Sequence, residues 1–245
     1  MSLTQLNKFK IVFSDFDGTL TFQEGLSPVF FEIINLLESK KIPLVIVTGR
    51  SLSWGHFLLT HFPFLRDVIV EGGGAIVSRS GKFITEECLV SESDVLKLAD
   101  FVSDFAVEFP SIKLSVDSFG RKTDRAIELH DLQDGVLFNH IEDFLTSHHI
   151  NFSTSNVHLN FWCGEVSKYM AVDHFLQKHK AVESECVFFG DSLNDQAMFK
   201  SFHNSVGVSN IATIMHLLEF KPTTILKGDE NIGPFGVLNY LKNNL

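Results

Sequence analysis

Cysteine is scarce in this 245-residue chain, and its three copies, Cys88, Cys163 and Cys186, lie far apart in no CxxC pair. That spacing excludes a disulfide framework and reads as reduced thiols in a cytoplasmic protein. The eleven His show neither HExxH nor C2H2 spacing, which argues against a structural zinc. Long hydrophobic runs are also missing. The apolar stretch Ile42–Val47 falls far short of a membrane span, and residues 1–10 lack the apolar core of a signal peptide, so a soluble chain with no membrane partner is expected. Positive charge is in deficit: 20 Lys and Arg face 30 Asp and Glu, a net charge of -10. Nucleic acid as a partner is therefore disfavoured, since its backbone needs clustered cations. A phosphorylated small molecule is not, because a metal and one or two cations can reverse the field locally.

Hydrophobic residues make up 44% of the chain, ample for a core, and 25 Phe against 2 Tyr and 2 Trp spread through every segment as core filler. The first third alternates strand and helix. Ile11–Ser14 reads as a buried strand. Ser27-Pro28 opens a helix that Lys40-Lys41 and Pro43 close, and Leu44–Val47 is a second strand. A helix over 52–61 and a strand over 67–70 follow, so a parallel sheet with right-handed crossovers is expected.

From about Arg79 the pattern changes. Residues 75–78 and 83–87 flank a Ser80-Gly81 turn as a hairpin, and Ser91 caps an amphipathic helix to 109. Strands over 112–116 and 126–129, a helix over 132–148 and a strand over 157–162 complete an inserted α+β module. Alternation then resumes: helix 166–180, strand 186–189, a helix from 195, strand 205–208, a further helix, strand 223–226 and a terminal helix over 234–241. The expected division is 1–78 and 164–245 as one discontinuous core domain, with 79–163 as a lid.

Four polar elements would converge at the carboxyl ends of the strands, where open α/β sheets bind ligands. Asp15-Phe16-Asp17-Gly18-Thr19 puts two carboxylates two residues apart, a set that attracts a divalent cation, although a strand ending in an Asp-Gly turn has the same residues. Thr48-Gly49-Arg50 offers a hydroxyl and backbone N–H groups at a strand-to-helix turn, a natural phosphate cradle. Lys168, near a helix start, is a point charge suited to a phosphoryl oxygen, and alone would read as solvated surface. Gly190-Asp191-Ser192-Leu193-Asn194-Asp195 follows another apolar strand, where Asp191 and Asp195 could also be a loop acid and a helix cap.

In this order, the four elements resemble the four motifs of the haloacid dehalogenase (HAD) superfamily of phosphohydrolases. The insert falls between the second and third: 120 positions separate Thr48 from Lys168, and 23 separate Lys168 from Asp191. That placement is similar to subclass IIB, which has a C2-type cap and includes sucrose-phosphate, trehalose-phosphate and mannosylphosphoglycerate phosphatases. Trp54-Gly55, Asn156-Val157-His158-Leu159-Asn160-Phe161-Trp162 and Asn204-Ser205-Val206-Gly207-Val208 resemble a bacterial branch of it. The resemblance implies an α/β fold, a Rossmann-like parallel-sheet core with an inserted α+β cap, and a Mg²⁺-dependent phosphomonoesterase acting on a small phosphorylated metabolite such as a sugar phosphate.

It also implies roles. Asp15 would be the nucleophile and Asp17 the general acid and base; Asp15, Asp191 and the Asp17 carbonyl would hold Mg²⁺. Thr48, Gly49, Arg50, Lys168 and Asn194 would bind phosphate, with Asp195 and Ser192 behind them. In the cap, Arg121, Lys122 and Asp124, from the cluster 121–125, would line the substrate side or form a charged turn facing solvent. His158 and Asn160 share one strand face, and would look into the site or fill a polar edge of the cap. Two departures stand out. Glu71-Gly72-Gly73-Gly74-Ala75 replaces the usual Glu-Asn-Gly-Ala, implying a looser hinge, and Tyr169 replaces a common Gly. A phosphotransferase or mutase, or a non-catalytic sensor, are the alternatives on this fold, and a monomer or weak homodimer is expected.

Overall fold

A computed structural model describes residues 8–23, 25–155 and 157–245. Residues 1–7, on which part of the leader expectation rests, and Asn156 of the cap motif lie outside them. Among the described residues eleven strands form two sheets. The larger has the order β11-β10-β9-β1-β2-β3-β4-β5, built from β1 (Ile11–Ser14), β2 (Leu44–Val47), β3 (Asp67–Val70), β4 (Ala75–Ser80), β5 (Phe83–Cys88), β9 (Cys186–Gly190), β10 (Ser205–Gly207) and β11 (Thr224–Ile225). From β11 through β3 every pairing is parallel, while β4 and β5 are antiparallel additions.

Side chains alternate across this sheet as strand geometry requires. Val12, Leu44, Ile46, Val187 and Phe189 join one core with α1 (Pro28–Lys40), α2 (Leu52–His61) and α7 (Pro234–Asn244). Phe13, Val45, Val47 and Phe188 join the other with α5 (Lys168–His179) and α6 (Gln196–Ser201). Because both faces are covered, β1, β2 and β9 are continuous apolar runs and not alternating ones. The chain leaves β1 toward β2 on one side and later returns to β9 on the other. The carboxyl end of β1 is therefore the topological switch point, where a crevice opens.

The smaller sheet, order β6-β8-β7, comprises β6 (Asp124–Glu128), β8 (His158–Trp162) and β7 (Asn151–Thr154), all antiparallel. On one face α3 (Glu92–Glu108) and α4 (Gly135–Ser147) bury Leu98, Phe101, Phe105, Ile141 and Leu145 against Ile127, Leu159 and Phe161. By register, the opposite face carries Asp124, Ala126 and Glu128 beside Trp162, Asn160 and His158.

Several expectations are corrected. The boundary at residue 79 cuts β4: hydrogen bonding puts both arms of the hairpin in the main sheet, and we propose 89–163 for the smaller unit. Residues 112–116 form no strand. Ser115 there gives one backbone bond to Ala126 and then caps a 3-10 turn over Val116–Gly120. The polar segment Asn151–Thr154, not expected as a strand, is β7, held by its partner β8 and not by its own apolarity. After β10 only a short 3-10 turn, Ser209–Thr213, replaces the expected helix. Among the described residues no helix is long and apolar enough to cross a membrane.

Candidate active site

Asp15 follows β1, and its backbone N–H donates to the Phe189 carbonyl, so the first residue past the strand is still fixed by the sheet. Lys168 opens α5, whose cap Ser167 accepts the Met170 N–H. Its ammonium, buried at 2% exposure, spends its three donors on Asp15 Oδ1 (2.6 Å), Asp195 Oδ1 (2.7 Å) and Asn194 Oδ1 (2.9 Å). Burial works against that charge, but Asp15 and Asp195 outweigh it and hold the lysine pKa above its ordinary value. Burial also pushes the Asp15 carboxyl well above the carboxylate range; Lys168 pulls it down, and Asp195 and Asp191 push it up again.

One carboxylate oxygen from each of Asp15, Asp191 and Asp195 falls within a 4.8 Å cluster. These hard oxygens fit Mg²⁺. Asp195 is the weakest candidate of the three, because its Oδ1 takes Lys168 and its Oδ2 takes the Asp191 and Ser192 N–H groups at 3.0 and 3.1 Å. Its carboxylate shapes the loop that presents Asp191. Asp191 is oriented by Thr19 Oγ1 (3.1 Å) and by Asn210 Nδ2 (2.6 Å). Ser192 Oγ donates to Asn194 Oδ1 at 2.8 Å, which turns that amide toward Lys168.

Asp17 stands apart from this cluster. Arg50 grips both its oxygens, Nε on Oδ2 at 2.9 Å and Nη2 on Oδ1 at 2.7 Å, and lies over the Trp54 ring at 4.9 Å. Arg50, expected on phosphate, is thus seated on a carboxylate. Asp15, Asp17, Gly49, Arg50, His158 and Asn194 line a gap of about 10 Å³, room for roughly one water. A larger cavity of about 220 Å³ lies on the Lys168 and Asn194 side, under Glu71, Asn160 and Trp162.

The smaller sheet meets this crevice with its polar face. Asn160 Nδ2 donates to the Gly49 carbonyl (3.3 Å) and to Asp124 Oδ2 (2.8 Å). Arg121 reaches the same carbonyl at 2.9 Å, and bonds Asp124 and Asp117. Asp124 is fully buried; that burial lifts its pKa to about 7, with Arg121 opposing and Glu71 adding to the rise. His158 bonds Glu128 at 3.2 Å, and its pKa is lowered by burial and by Arg121. Lys122 exposes its side chain and offers only its backbone N–H to Glu71.

A family profile described as sucrose-6F-phosphate phosphohydrolase matches residues 8–221. The chain belongs to this family. It is a phosphatase of the HAD superfamily. The phosphoglycolate phosphatase of Methanosarcina acetivorans is 24% identical over 210 residues, 83% of this chain and 84% of that protein. Among solved structures, the fold is shared with a Synechocystis sucrose-phosphatase in complex with sucrose and phosphate, at a TM-score of 0.71 and 14% identity, covering 97% of this chain and 98% of that one. A HAD-like hydrolase from Bacteroides thetaiotaomicron gives 0.72 at 18% identity, covering 97% and 100%.

In this phosphatase the Gly72-Gly73-Gly74 turn is closely packed at two of its three glycines. A Cβ on Gly73, whose φ is +108°, would strike the Ser167 carbonyl, and one on Gly74 would strike Thr123. Glu71, buried at 3% exposure, ties the turn down by accepting the N–H groups of Lys122, Thr123 and Leu52 and the Thr123 hydroxyl. Sequence reasoning missed Glu71, Asp117, Thr19 and Asn210. Thr19 lay inside a quoted motif, and Glu71 drew attention only as a neighbour of glycines. Asp117 and Asn210 carry no signal beyond being polar.

Proposed function

We propose that the protein hydrolyses the phosphomonoester of a small metabolite, a sugar phosphate, through an aspartyl-phosphate on Asp15. The observation that carries this reading is the buried ammonium of Lys168 on Asp15, at the strand end beside the gap that Asp17 also lines. A lysine with every donor engaged holds one Asp15 oxygen and leaves the carboxylate oriented for attack. An Asp15 oxygen bonds to phosphorus as the ester P–O bond breaks, and Asp17 gives its proton to the departing alkoxide. Asp17 then takes a proton from water as that water attacks phosphorus. The bond to Asp15 breaks, and inorganic phosphate leaves. Thr48, buried at 1% exposure, and the Gly49 amide would cradle the phosphoryl oxygens, with the Lys168 charge nearby offsetting theirs.

Asp15, Asp191 and the Asp17 carbonyl would hold Mg²⁺, which when bound would offset negative charge on the phosphoryl group. Two movements are required of the chain itself. The gap must widen to admit a phosphoryl group, and Arg50 must free an Asp17 oxygen for the proton. The sucrose and phosphate bound by the Synechocystis relative support a sugar phosphate as substrate, and the name of the Methanosarcina relative adds phosphoglycolate to the compounds worth trying.

The test is phosphate release with Mg²⁺ across sugar phosphates, nucleotides and small phosphorylated acids, with Asp15→Asn alongside. A preferred ester whose hydrolysis falls at least ~1,000-fold in the variant is the expected result. An Asp15→Asn protein that still turns over would sink the nucleophile.

A further inference from the structure

Two residues of the smaller unit expected against substrate, Arg121 and Asn160, converge instead on one carbonyl of the core. Gly49 O accepts Arg121 Nη1 at 2.9 Å and Asn160 Nδ2 at 3.3 Å. Asp124 accepts from both of those donors, at 2.8 Å each, and so fixes their orientation. Asp117 takes Arg121 Nη2 at 2.7 Å and accepts the hydroxyl of Ser51, two residues beyond Gly49. The Arg121 side chain is completely buried in this contact. The small unit therefore sits on the turn between β2 and α2, the same turn that forms the phosphate cradle.

Peptide geometry gives the contact a consequence. In a trans peptide the C=O and the following N–H point in opposite directions. Drawing the Gly49 carbonyl toward the cap turns the Arg50 N–H the other way, where it meets Thr48 Oγ1 at 3.1 Å. Glycine at 49 resists rotation of that peptide less than any other residue, so an outside hold is what sets it.

We infer that Arg121, Asp124 and Asn160 are positioning residues for the phosphate cradle: closing the cap pins the Gly49 carbonyl, which fixes the Arg50 N–H on Thr48 Oγ1 and so leaves the Thr48 hydroxyl to donate its proton to the phosphoryl group. This rests on the cradle role given to that turn above. It makes cap closure part of phosphate binding itself, even for an ester whose leaving group is too small to reach the cap.

Asn160→Ala and Arg121→Lys in the full chain with Mg²⁺ test it, using acetyl phosphate as the small ester, a hexose phosphate as the large one, and inorganic phosphate as inhibitor. The expected result is a fall in kcat/KM of roughly 10–100-fold, the scale of a slightly misplaced reacting group, equal for both esters. The inhibition constant for phosphate should rise with it. A loss confined to the hexose phosphate would overturn the inference and put the residues on the leaving group. A lower kcat with the phosphate constant unchanged would overturn it too, since that is the mark of protein lost to misfolding. So would two unimpaired variants. Asn160→Ala removes one neutral amide and keeps the Arg121 pairs, so it guards against a failure of Arg121→Lys to fold. If the wild-type protein cleaves neither ester, calorimetric binding of inorganic phosphate to it and to both variants still decides this inference, while the phosphatase substrate reading alone falls.

Discussion

The core and the cap each bury one cation among carboxylates, and the two clusters are satisfied differently. In the cap, Arg121 lies between Asp124 and Asp117, and Asp124 also takes Asn160, so protein donors hold the buried carboxylate of Asp124. In the core, Lys168 is shared by Asp15 and Asp195, with Asp191 beside them, so one ammonium answers three acids. A buried ion pair by itself is weak evidence for stability, because desolvation can exceed the Coulombic gain. What separates the clusters is the number of acids around each cation, two at Arg121 and three at Lys168. Arg121, with its planar fork, closes a structural joint. Lys168 stands among three clustered carboxyl groups beside a gap, a donor set that suits a metal ion and the phosphoryl group it accompanies.

The largest effect is expected where that core cation is removed. Lys168→Met strands Asp15 and Asp195 in a buried site with no positive partner, and should lower stability by about 3–5 kcal/mol in chelator, with loss of phosphate release. Denaturant unfolding of the metal-free protein checks it. A variant as stable as wild type would mean that the acids are already held neutral, and the contrast between the clusters would disappear.

Much of the core was legible because its signals are local. Apolar runs bounded by Asp or Gly gave β1, β2, β3 and β9, and the acids after β1 and β9 needed only the parallel-sheet rule to meet. The cap was less legible because its contacts are non-local. Asn151–Thr154 is a strand only through β8, and Ile112–Val116, apolar enough for a strand, forms none and leads into a 3-10 turn. The face shared by His158 and Asn160 followed from strand alternation, yet nothing in the sequence showed that Asn160 would end on the Gly49 carbonyl. Arg50 is the sharpest case. Its motif pointed to phosphate, while the folded chain offers it the two oxygens of Asp17, 33 positions away.

A metal ion should sharpen the contrast on the core side. Adding Mg²⁺ to chelated protein should raise Tm by a few degrees, as expected when a ligand binds the folded state only. Asp191→Asn, which keeps the shape of the side chain and removes its charge, should abolish most of that rise. Asp124→Asn should leave it intact. Scanning calorimetry at matched Mg²⁺ concentrations reads all three, and an equal rise in Asp191→Asn would move the metal site elsewhere.

The last effect belongs to the cap, is spread over several pH units, and concerns titration. Asp124 has a folded pKa of about 7, against 3.8 for an ordinary aspartate, because burial outweighs its pairing with Arg121. The folded chain therefore holds this proton more tightly than the unfolded chain does. The contribution to stability is fully present below pH ~4 and is lost as pH rises through about 7, by at most ~1.4 kcal/mol per pH unit. Asp15 is shifted the same way and adds its own slope, but it is present in both wild type and Asp124→Asn, so the difference between the two proteins isolates Asp124. In chelator, the stability of wild type relative to Asp124→Asn should decline from pH 4 to pH 8. A difference that grows with pH would show that Arg121 more than repays the burial of the Asp124 carboxylate, and the two clusters would then differ in degree only.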